Sequence, residues 1–169
     1  FSDDQVHMAK TLVDEAKKAG VKHIVKLSAM GAGAEPGIQL GRWHREIEKY
    51  IEASGVAHTF LRPSSFMQNL VTYSADSIKH DGKFYQSTGE GRIGYVDTRD
   101  IAAVGIEALT GEGHEGKVYD LTGPEALSNY EVAQQLSEVT GRKVEFVDVP
   151  EAEARQAMEA QGTPDWLTN

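Results

Sequence analysis

The spacing of apolar residues along the chain changes period several times, and each change marks an element. Val6, Ala9, Leu12, Val13 and Ala16 recur at helical spacing and the run stops at Gly20, which predicts a helix capped by Ser2 or Asp3. "VKHIVKLS" (21–28) is short and largely apolar, and reads as a buried strand. The loop "AMGAGAEPGIQLG" leads to "GRWHREIEKYIEASG" (41–55). This is an amphipathic helix with Trp43, Ile47, Tyr50 and Ile51 on one face and Gly55 as its stop. "VAHTFLRP" (56–63) is the next strand; Pro63 cannot donate to a ladder and suits its end.

Beyond it, "SSFMQNLVTYSADSIKHDG" predicts a helix with Phe66, Leu70 and Tyr73 on one face. Two short β-like pieces follow around Phe84 and Tyr95, and then a helix marked by Ile101, Val104 and Ala108. "KVYDLTG" reads as a strand, and "SNYEVAQQLSEVTG" as a helix opened by a Ser128-x-x-Glu131 capping box. "VEFVDVP" is a strand and "EAEARQAMEAQG" a last helix; Trp166 is assigned to packing.

Strands alternating with crossover-length helices predict a parallel sheet covered on both faces. The expected fold class is α/β: a partial Rossmann-like, doubly wound and mainly parallel sheet with a small C-terminal α/β substrate lobe. Residues 1–169 are expected to form a single domain, with roughly 1–109 as the Rossmann portion and 110–169 as the substrate lobe. No strand and glycine-rich turn precedes the first helix. The strands at 21–28 and 56–61 therefore read as the second half of a doubly wound fold, without its first half.

Composition narrows the function classes. With 169 residues and 40% of them hydrophobic, the chain can bury a core. Seventeen lysines and arginines against 26 acidic residues give a net charge of -9. That field repels phosphate backbones and anionic lipid, so no direct nucleic-acid partner is expected. The absence of cysteine excludes disulfides, thiolate metal sites and a thiol nucleophile. No apolar run approaches a membrane span and Phe1 does not begin a signal peptide, so a cytoplasmic chain is expected.

Chemistry has few places to sit. Ser28 ends a strand, where ligands bind in open α/β sheets, though a serine there also caps turns. "GAGAEPG" (31–37) lacks the third glycine and the following helix of a dinucleotide fingerprint, and reads as a flexible loop. His44, in the first turn of its helix, has three readings. It donates a proton at a pKa near neutrality, it hydrogen-bonds a cofactor, or it is a solvated histidine paired with Glu48 at i,i+4. A His/Glu metal pair falls short of the three or four ligands a site needs, so no metal is expected. Arg62 and Pro63 end a strand, and Ser64, Ser65 and Phe66 are predicted to open the next helix. Free N–H groups and hydroxyls there suit an anion or carboxamide, and ordinary capping suits them equally. In "YVDTRD" (95–100), Asp97 or Thr98 reads as a helix cap with local ion partners.

Four segments resemble the NmrA-like branch of the atypical short-chain dehydrogenase/reductases: "VKHIVKLSAMGA", "WHREIEKYIEASGVAHTFLRPSSFMQNL", "GYVDTRDIAAVGIEAL" and "KVYDLTGPEALSNYEVAQQL". That branch contains NAD(P)H-dependent quinone and azo-dye reductases, isoflavone-reductase-like enzymes and redox-sensing regulators. The resemblance implies NAD(P) as cofactor, with Leu27, Ser28, Ala29 and Met30 beside the nicotinamide ribose. It also implies that Pro63, Ser64, Ser65 and Phe66 close over the nicotinamide, and that Trp43, Asn69 and Tyr95 belong to the substrate pocket. His44 falls where isoflavone-reductase-like members carry lysine and several quinone reductases carry histidine, while Leu40 replaces the usual tyrosine. The implied function is reduction of a quinone, azo compound or small conjugated carbonyl by hydride from nicotinamide, with His44 assisting protonation. The alternatives are a non-catalytic NAD(P)-sensing module acting through protein partners, or a truncated chain without cofactor binding. Members begin with a glycine-rich half, so a fragment is expected, its exposed sheet edge covered by a partner or a second copy.

Overall fold

The computed structural model describes residues 4–35 and 37–163, so the Ser2 or Asp3 cap, Pro36 of the glycine loop and Trp166 lie outside the described residues. In chain order the elements are α1 (Asp4–Lys18), β1 (His23–Leu27), α2 (Gln39–Ser54), β2 (Ala57–Pro63), α3 (Gln68–Asp81), β3 (Lys83–Gln86) and β4 (Arg92–Ile93). They continue with α4 (Thr98–Thr110), β5 (Lys117–Leu121), β6 (Leu127–Ser128), α5 (Asn129–Thr140), β7 (Glu145–Asp148) and α6 (Glu151–Ala160). Among the described residues the chain forms two compact units: the first runs to Ser64 and resumes over Arg99–Leu121, the second takes Ser65–Thr98 and residues 122–163.

The first unit is built on a parallel three-stranded sheet in the order β1-β2-β5, with His23 opposite Ala57 and Thr59 opposite Lys117. β2 has a partner on each side and buries Thr59, Phe60 and Leu61, which is what a central parallel strand requires. β1 pairs on one side only among the described residues, and this corrects the expectation of a buried strand: its residues are half-buried and Leu27 is 50% exposed. α2 turns Trp43, Ile47 and Ile51 inward and ends at Gly55, whose left-handed backbone closes the helix. Leu12, expected on the inner face of α1, is exposed and lines an open apolar groove of about 430 Å³ with Val13, Ile24, Val25, Leu27 and Ile47.

The second unit has β3 parallel to β7 and β4 antiparallel to β6. Phe84, Tyr95, Val132, Ala133, Val144 and Phe146 form its core, with Leu70, Ile78 and Leu136 packed against them. The predicted capping box opens α5. Ser128 Oγ accepts from the Glu131 N–H, and the Glu131 carboxylate accepts from the Ser128 N–H. Gly123 is held to glycine because a Cβ there would run into the Tyr95 carbonyl. Two expectations are corrected. Tyr73 is 80% exposed and does not share the buried side of α3 with Leu70. The second β-like piece lies at Arg92–Ile93, while beyond Tyr95 only Val96 makes a single bridge, to Phe66.

Candidate functional site

The centre of the first unit is a carboxylate with no exposure. Glu48 lies on the inner stripe of α2 with His44, Ile47 and Ile51, and a charge placed there must be fully partnered. It accepts from Ser28 Oγ at 2.7 Å, from Arg62 Nε at 2.9 Å and Nη2 at 2.6 Å, and from Arg45 Nη1 at 3.0 Å. Burial alone would raise its pKa, but the hydrogen bonds from Arg62, Ser28 and Arg45 outweigh it and hold the carboxyl below the usual range. One side chain on α2 thus ties down the carboxyl end of β1 and that of β2.

His44 sits one turn before Glu48 and is 9% exposed. It is neither solvated nor paired with Glu48: its Nδ1 lies 2.9 Å from Lys26 Nζ, and Lys26 also donates to the Leu27 carbonyl at 3.0 Å. Burial pushes His44 down to about 4, reinforced by the Lys26 charge and opposed by Glu48. The same burial lowers Lys26 to about 8 against the pull of Glu48. This corrects the expectation of a pKa near neutrality: at pH 7 His44 is a neutral imidazole.

Around these side chains three backbone donors are spent. The Ser28 N–H donates to the Leu61 carbonyl, that of Met30 to Pro63 and that of Ser64 to Leu121. Ser28 and Pro63 are buried, Ala29 and Ser64 half-buried, and Leu27 and Met30 are 50% and 41% exposed. Trp43 is buried in the interior of the unit.

In the second unit, Ser65 and Phe66 do not open a helix. The Ser65 carbonyl accepts from Val96, the Met67 N–H donates to Val96, and α3 begins at Gln68 without a side-chain cap. Of the N–H groups expected to be free at 64–66, that of Ser64 is taken by the Leu121 carbonyl. Phe66 and Asn69 are half-buried. Tyr95 is 7% exposed, its hydroxyl donating to Asn129 Oδ1 at 2.9 Å while Asn129 donates to Gln86 and Thr88. Gln68 bridges Asp97 and the Thr98 N–H at the start of α4.

The first unit brings together Ser28, His44 and Pro63 with three residues that sequence reasoning missed as a group, Lys26, Glu48 and Arg62. The missed signal was a glutamate on an otherwise apolar helical stripe, which demands a cation from another element. A nicotinamide ring fits this end of the sheet better than a phosphate does. The exposed side chains there, Leu27 and Met30, are apolar, the N–H groups of Ser28, Met30 and Ser64 are consumed, and Arg62 is committed to Glu48. Among the described residues no group of three His, Asp or Glu side chains is arranged for a metal ion, and no helix is long and apolar enough to cross a membrane.

A sequence model of the NmrA-like family matches residues 1–165. The chain is 46% identical to an NAD(P)H azoreductase of Xenophilus azovorans, over 98% of its own length and 58% of that protein. It is 32% identical to quinone oxidoreductase 2 of Escherichia coli (strain K12), over 95% of its length and 55% of that protein. In structure it resembles the NADPH complex of an E. coli NADPH-dependent quinone oxidoreductase, with a TM-score of 0.86 and 31% identity, over 98% of this chain and 58% of that one. The NADP(H) complex of a Citrobacter triphenylmethane reductase gives 0.82 and 29%, over 99% and 59%. The chain thus spans less than two thirds of each.

Proposed function

Since the chain belongs to the NmrA-like family, we propose that it is part of an NAD(P)H-dependent oxidoreductase that reduces a quinone, an azo compound or a small conjugated carbonyl. The observation that carries this reading is the 46% identity to an NAD(P)H azoreductase over 98% of the chain. When bound, a reduced nicotinamide supplies the hydride.

The side chains of the first unit then have distinct tasks. Leu27 and Met30 offer apolar surface at the strand end, with Ser28, Ala29, Pro63 and Ser64 forming the adjoining backbone. Glu48 keeps Ser28 and Arg62 from moving, so the strand ends are fixed before any ligand arrives. His44 serves as a neutral hydrogen-bond donor, since an imidazolium is not available at pH 7. In the second unit, half-buried Ser65, Phe66 and Asn69 keep surface for ligand contact. Trp43 and Tyr95 act through packing, since both are buried.

Absorbance-monitored NADPH and NADH oxidation with a panel of quinones and azo dyes tests the proposal. Turnover is expected. Dinucleotide binding without turnover overturns it in favour of a sensing module, and a chain that binds neither dinucleotide overturns both.

A further inference from the structure

Apart from one hydrogen bond to the neighbouring Leu27 carbonyl, Lys26 has no structural task. It stands on β1 between Val25 and Leu27, half-buried, with its ammonium aimed at a neutral imidazole instead of a carboxylate. An ammonium has three donors and no acceptor, and a neutral imidazole has one acceptor nitrogen. At 2.9 Å the bond between Lys26 Nζ and His44 Nδ1 therefore runs from lysine to histidine, and the ring proton is left on Nε2. Among the described residues Nε2 has no hydrogen-bond partner and is not a fully buried atom.

We propose that Lys26 is a positioning residue for His44: it fixes the ring as the Nε2–H tautomer and resupplies its proton. The first half needs no assumption about the reaction; the second rests on the oxidoreductase reading. When hydride reaches the substrate, an oxygen or nitrogen carries the resulting negative charge. The bond from Nε2 to its proton breaks as a new bond to that atom forms, and the Lys26 ammonium passes a proton to Nδ1. The ring ends neutral, the lysine ends as an amine, and water returns its proton.

The charged groups around the pair are consistent with this. Glu48 and Arg45 come from α2 and Arg62 from β2, and both arginines are bonded to Glu48. Glu48 favours the charged form of both Lys26 and His44, while burial disfavours it more strongly. Lys26 falls to about 8, so it is charged at pH 7 yet gives up a proton more readily than an exposed lysine.

Nitrogen-15 NMR of the histidine rings in the chain, without cofactor or substrate, tests the tautomer. At pH 7 His44 is expected to show a protonated Nε2 and an acceptor Nδ1. Lys26→Met should mix the tautomers and raise the ring's titration midpoint by about one unit. Lys26→Arg keeps a donor and should preserve the tautomer, and it serves if the methionine variant fails to fold. In turnover, Lys26→Met and Lys26→Arg are both expected to lower kcat by ~10-fold or more with KM little changed, since a guanidinium does not release its proton. The native rate should decline as pH rises through about 8, and this limb should vanish in Lys26→Met. A protonated Nδ1 in the native chain, an unaltered His44 signal in Lys26→Met, or undiminished kcat in both variants overturns the proposal. If no quinone or azo compound is reduced, the oxidoreductase reading falls, while the tautomer measurement still decides the position of Lys26.

Discussion

His44 carries a thermodynamic consequence apart from any chemistry. Its folded-state pKa of about 4 lies below the ordinary 6.5, so between those values the unfolded chain binds the extra proton. Stability from this group is complete above about 6.5, declines as pH falls through that window, and levels off below about 4. The expected loss is on the order of 3 kcal/mol, and His44→Gln should flatten it in urea denaturation at stepped pH. Equal slopes in the two proteins would refute the assignment. The sequence identified His44 as a candidate but pointed to Glu48 as its partner, because i,i+4 neighbours are the only ones a helical pattern reveals. Lys26, 18 residues away on β1, becomes visible only when strand and helix are packed. Arg62 was missed as a partner of Glu48 for the same reason.

Elements differ in how far their ends are decided locally. The capping box of α5 was legible because both of its hydrogen bonds join residues three apart. Ser128→Ala should lower stability by about 1 kcal/mol, read as a shift in the denaturation midpoint, and no shift would show the cap to be redundant. The start of α3 was not legible. Ser64, Ser65 and Phe66 have helix-opening chemistry, yet Ser64 is held by Leu121, and Ser65 and Phe66 pair with Val96. Tertiary hydrogen bonds outrank local preference there. Strand positions were legible from apolar runs, while the half-burial of β1 was not, since a run of apolar residues does not say how many neighbours the strand will have.

At the scale of the whole chain, the alternation of helix and strand correctly announced an α/β fold with parallel pairing, and the family pattern extends over nearly its full length. The sequence pI of about 5.1 predicts a solubility minimum near pH 5, inside the window where His44 withdraws stability. Turbidity across pH 4–8 at low salt checks this, and a clear solution at pH 5 would count against it. The grouping of 65–98 with the chain beyond 122 had no sequence signature, because periodicity reports only near neighbours. That weave bears on synthesis. On the ribosome β1 and β2 emerge before β5, the strand that makes β2 central, which follows only after residues 65–98. A chain halted at residue 98 would leave the hydrogen-bonding edge of β2 uncovered. The nascent sheet therefore has an interval of exposure set by translation speed, and that interval is where chaperone demand and misassembly should concentrate.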